Sequence, residues 1–152
     1  MAYTTAEGRE QILGDLAVAI EQIAESLAAL GEAYEQLDEH NADVLEEQLF
    51  RPVQHAYGRA RRTHSEFASR TGLRSRTFAP HSPGVQSQSV QALIERAVDA
   101  AQDADQSIAE LQDSMLPVEV GDPELRAGLA AVRELLTAVP VRARALTRTV
   151  GR

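Results

Sequence analysis

The sequence predicts an all-α protein, an up-down-up-down antiparallel four-helix bundle. Apolar residues recur at steps of three and four through four long segments, no segment alternates as a half-buried strand does, and Asn, Gly and Pro mark the breaks. Each segment, at about 25 to 35 residues and 1.5 Å per residue, would be about 40 to 50 Å long, the proportions of a bundle. A chain of 152 residues suits one core, so a single domain over 1–152 is expected. Two long hairpins that dimerise would need the same stripes.

The first helix is expected over about 5–40. Its stripe is Ile12, Leu16, Ile20, Ile23, Leu27, Leu30, Tyr34 and Leu37, and Thr4 or Thr5 could cap its start. An end near His40 and Asn41 follows from the tolerance of Asn for the left-handed conformation, with Asp43 and Glu46 forming a capping-box-like restart. A helix continuous past 41 is the alternative. The glycines of this helix, Gly8, Gly14 and Gly31, are read as serving close packing or flexibility.

The second helix is expected over about 44–69, with Leu45, Leu49, Val53, Ala56, Ala60, His64 and Phe67 inward. Pro52 lies inside it and cannot donate to the carbonyl of Gln48, so a kink is expected. Residues 71–84 (TGLRSRTFAPHSPG) hold two glycines and two prolines without an apolar period and read as a loop, the longest connection. The third helix, about 86–116, repeats Val90, Ile94, Ala97, Ala101, Ala104, Ile108, Leu111 and Met115; its alanines would let a neighbour come close. Asp122, Pro123 and Glu124 then supply an N-cap, a first-turn proline and a first-turn acid for a fourth helix over about 123–149. Its stripe is Leu125, Leu129, Val132, Leu136, Val139, Ala143, Leu146 and Val150, with Pro140 a second expected kink.

Charge falls in blocks. Residues 1–47 hold 12 acids and one arginine, 48–98 two acids and eight arginines, 99–124 eight acids and no base, and 125–152 one acid and six arginines. The net charge of −8 is therefore a remainder of alternating blocks. In an antiparallel bundle each helix would lie beside neighbours of opposite sign, and charge would select the pairing.

Several chemistries are excluded by composition. Without cysteine there is no thiol nucleophile, disulfide or cysteine zinc site, and without lysine no Schiff base or P-loop lysine. No Gly-x-Ser-x-Gly or Gly-x-Gly-x-x-Gly occurs, and no histidine follows a glutamate by three as in ferritin-like di-iron bundles. No metal or cofactor is expected. Without an apolar run of 18 residues or a leader pattern, the chain reads as cytoplasmic and free of the membrane, and its arginine and alanine richness points to a GC-rich bacterial source.

Two features carry candidate function. Arg59, Arg61, Arg62, Arg70, Arg74 and Arg76 form the densest cationic run, and such a cluster can neutralise phosphates. The acidic net charge and the lack of interleaved aromatics argue against nucleic acid as the partner. Arg59 and His64 (RARRTH), like Arg76 and His81, also have the Arg-to-His spacing of HEPN-type ribonucleases, which this stretch resembles. That resemblance implies a histidine acting as acid or base at the ribose and an arginine steadying phosphate charge.

The reading preferred on sequence is a non-enzymatic interaction or scaffold module that binds another protein or itself, as a homodimer for example. Arg74, Arg76, Phe78 and His81 are the expected binding residues, because a long loop between rigid helices is where recognition tends to reside. An exposed apolar patch is expected near Leu73 and Phe78 or beside a proline kink.

Overall fold

A computed structural model of the chain describes residues 5–82 and 87–150. All regular structure among them is helical: α1 (Thr5–Gln36), α2 (Glu39–Leu45), a π-helical turn (Glu46–Phe50), α3 (Arg51–Thr71), α4 (Val90–Asp113), α5 (Leu116–Glu119), α6 (Pro123–Thr137) and α7 (Val139–Val150). The predicted stripes make the core. Every stripe residue of the second helix is buried, as are those from Ile94 to Leu111 and from Leu125 to Leu146.

The helix boundaries differ from the sequence reading in ways the backbone explains. The first helix ends at Gln36 rather than near 40, and Asn41 and Asp43, the expected break, lie inside α2. The break is at Asp38, whose extended backbone (φ −66°, ψ 163°) starts α2 through a bond from the Ala42 N–H at 2.8 Å. Asn41 instead donates its amide to Asp38 Oδ1 at 2.6 Å, tying down the new turn.

Pro52 acts through the turn before it. Lacking an N–H it cannot close the bond to Gln48, and the preceding residues widen so that the Arg51 N–H reaches the carbonyl of Glu46, five residues back. The Gln48 carbonyl is reached by Arg142 Nη1 from α7 at 3.4 Å. At Pro140 the expected fourth helix divides: α6 ends at Thr137, and Ala138 separates it from α7.

α4 begins at Val90, with the Ser89 hydroxyl capping the Ala92 N–H at 3.1 Å; the expected start at Gln86 lies outside the described residues. It stops at Asp113 rather than 116. Met115, expected on the apolar stripe, adopts φ 67° and is 51% exposed, because the chain turns there into α5 ahead of Pro117.

The order of the helices is a further correction. Along α1 and α4, Gln36 meets Gln88 while Gln22 meets Ser107, so the two run antiparallel. α3 and α6 also run antiparallel, with Arg70 on Asp122 and, further along, Arg142 of α7 on Gln48. α1 packs most extensively on α4, α3 packs on α6, and the pairs α1 with α3 and α4 with α6 close the square. Up-down-up-down order would make α1 and α4 parallel; the contacts instead give up-down-down-up. The connection from Gly72 to Ser89 must therefore cross from one end of the bundle to the other.

Charge does not select this pairing. α1, with seven acids and one arginine, lies against α4, with six acids and one arginine. Small side chains decide it. Ala19, Ser26 and Ala33 are buried at seven-residue intervals on α1, and Ala97, Ala101 and Ala104 are buried on α4. At their meeting the Ser26 hydroxyl donates to the Ala97 carbonyl at 2.7 Å, a bond that requires the backbones to be close. Dispersion over that area outweighs the repulsion of exposed acids, which water and salt screen.

Candidate functional site

The site candidate is built by the crossover and the seam beneath it. α3 ends where Gly72 takes φ 71°, a left-handed cap that lets the Leu73 N–H bond the Ala68 carbonyl at 2.9 Å. Residues 73–82 then run without helix over α1 and α3. Leu73 and Phe78 are partly buried against the core, so the exposed apolar patch expected there is absent: these two side chains pin the segment down.

Three of the four expected binding residues are brought together. The Arg76 guanidinium lies 5.0 Å from the Phe78 ring centre and bonds Glu21 Oε1 at 2.6 Å. His81 Nε2 lies 3.5 Å from Glu21 Oε2, so one α1 carboxylate holds the segment at two points. These pairs are exposed and contribute only some tenths of a kcal/mol each, of order ~0.2–1 kcal/mol. Arg74 is exposed and makes no such contact among the described residues.

Beneath Phe78 lies His64. The two rings meet edge to face at 5.2 Å and 87°, and His64 is only 3% exposed. Burial lowers its pKa below the ordinary value; a bond to the Leu13 backbone opposes this, and the Arg76 charge lowers it further. Its Nδ1 is buried without a partner. Burial therefore favours the neutral imidazole, which packs beneath the Phe78 ring.

Arg59 does not share its surroundings. It lines a groove on the other flank of α3, toward α6, with Arg62, Glu66, Glu124 and Ala127. The Arg59 and His64 pair thus converges on no common cavity, which acid-base chemistry at one phosphodiester requires.

The arginine cluster is divided as well. Arg70 holds Asp122 at 2.9 Å and Glu124 at 3.0 Å. Burial pushes the Asp122 carboxyl up, but its bonds from Arg70 and from the Leu125 amide outweigh that and hold it below its ordinary value. Arg62 faces Glu66 at 3.8 Å, and Arg61 lies over the Tyr57 ring at 4.6 Å. Arg59, Arg62 and Arg70 share the groove toward α6 with Glu66 and Glu124, whereas Arg61 and Arg76 lie on the α1 side, and several of these cations already have carboxylates.

The feature that sequence reasoning missed is a cavity of about 470 Å³ between α1 and α3. Leu27, Ala28 and Gly31 of α1 and Phe50, Tyr57 and Gly58 opposite form its walls, with Arg61, Pro80 and His81 also lining it. A Cβ built on Gly31 or on Gly58 would meet nothing within 4 Å. Gly31 therefore does not serve close packing. The signal was in the sequence as two helix-interior glycines, each less favourable than alanine by about 1 kcal/mol.

Among the described residues no helix is long and apolar enough to cross a membrane, and no group of three or more His, Asp or Glu residues could hold a metal ion. No protein-family model, no curated protein and no solved structure matches this chain.

Proposed function

We propose that this protein is a non-enzymatic interaction module that binds a protein partner through the crossover, residues 73–82. The observation that supports it is the state of this segment: it lies on a rigid bundle, and from Arg74 to Ser82 it makes no backbone-to-backbone hydrogen bond among the described residues. Its N–H and C=O groups are available to a partner, as in recognition by added extended chain. Arg74, Thr77, Ala79 and Pro80 face solvent between the anchors Arg76, Phe78 and His81. The separation of Arg59 from His64 leaves a ribonuclease reading on that pair without support, and the carboxylates that hold Arg62, Arg70 and Arg76 weigh against nucleic acid.

A photo-crosslinking residue at Arg74 tests the reading, with one at exposed Val141 on α7 as control. A protein adduct is expected from position 74 alone, and an adduct of twice the chain mass would identify the partner as a second copy. Arg76→Ala with Phe78→Ala should reduce that adduct while circular dichroism shows helicity retained. Equal adducts from both positions, or an adduct indifferent to the double variant, would overturn it.

A further inference from the structure

We propose that the cavity between α1 and α3 is a binding site for a small carboxylate with an apolar body. Its volume of about 470 Å³ lies within the range of small-ligand pockets, and its walls are apolar as such pockets are. Two features argue that the hollow is built rather than left over. Gly31 and Gly58 lie in the interiors of different helices and line the same space, each with open room where a side chain would stand. Alanine at either position would favour the helix and narrow the hollow, so both glycines work against helix stability and for the concavity.

The charge of the ligand follows from the lining. The ionisable side chains there are Arg61, Tyr57 and His81, with no carboxylate among the lining residues. Arg61 is exposed and lies with its guanidinium 4.6 Å from the centre of the Tyr57 ring, at the rim of the hollow where its N–H groups can meet an anion. An apolar chain or ring fits against Leu27, Ala28 and Phe50, and a carboxylate then meets Arg61. The acids Glu21 and Glu25 of α1 are engaged by Arg76 and Arg96. The crossover contributes Pro80 and His81 to this lining, but the site needs no protein partner there, since its ligand is a small molecule seated between α1 and α3.

Titration calorimetry with decanoate and 2-naphthoate, both kept monomeric, tests the proposal on the full chain. Saturable 1:1 binding of at least one is expected, with a rise in the melting temperature by mass action. Decanol, which lacks the charge, should bind more weakly. Arg61→Gln should weaken carboxylate binding by about tenfold, as loss of a charged hydrogen bond does, and leave decanol unaffected. Gly58→Leu, which fills the hollow, should abolish binding while thermal unfolding shows the fold intact; Gly31→Leu repeats the test from the opposite wall. No saturable binding of either carboxylate, binding that survives both leucine variants, or equal affinity for decanol and decanoate would each overturn the proposal.

Discussion

The two flanks of α3 use glycine for opposite ends. Toward α6, a Cβ on Gly128 would collide with the Thr63 hydroxyl and stand 3.1 Å from Thr63 Cβ, so only glycine lets the helices approach. Toward α1, Gly31 and Gly58 meet nothing and the helices leave an open hollow instead. One seam is closed because side chains are absent at the point of contact, and the other is open because they are absent beside it. A glycine inside a helix therefore has no single meaning; what stands opposite decides.

The sharpest way to break this contrast is to add one carbon to each seam. Gly128→Ala should destabilise the protein by about 2–3 kcal/mol, because Thr63 is β-branched and its hydroxyl is tied to the Arg59 carbonyl, so no rotamer relieves the contact at Cβ. Gly58→Ala should stabilise by about 0.5–1 kcal/mol through helix propensity alone. Urea unfolding of the two variants measures both, and the same sign for both would end the distinction.

A smaller effect belongs to His64, on the α1 side. Its folded pKa is depressed, so the unfolded chain takes up a proton first as pH falls. Stability should be fully present above about 6.5, the usual histidine value, and decline as pH falls below it toward the depressed value. Melting temperatures from pH 8 to 5 should show this decline, and His64→Phe should remove that part of it. The smallest change in stability is expected for Glu21→Gln, about 0.5 kcal/mol or less because its pairs are exposed. The same variant should speed tryptic cleavage at Arg74 and Arg76, since it releases the crossover; cleavage no faster than in the parent would show that Leu73 and Phe78 hold the segment alone.

Stripe residues such as Ile12, Val53, Ile108 and Leu136 were legible in the sequence because helical period and burial are local and repeat. The crossover was legible as a loop, and Arg74, Arg76, Phe78 and His81 as its candidate binding residues, but not that three of these would gather around Glu21 and His64. Their direction was not: Phe78 and Leu73 pack inward, and Arg76 answers a carboxylate 55 residues earlier. The cavity was hidden for the same reason, because Gly31 and Gly58 acquire a common space only when α1 and α3 lie side by side.

The sequence by itself determined that this chain is helical, where its apolar faces lie and that Pro52 and Pro140 mark interruptions of its helices. Those are consequences of backbone sterics, proline chemistry and the 3.6-residue period, which act within a few residues. Only the tertiary structure decided that α1 lies against α4, like charge against like. The charges had suggested otherwise, but exposed charges are screened and contribute little, whereas close packing of Ala and Ser backbones contributes over the whole length of a helix. That choice sends the connection across the bundle and leaves it over the α1 and α3 seam, where the candidate site lies.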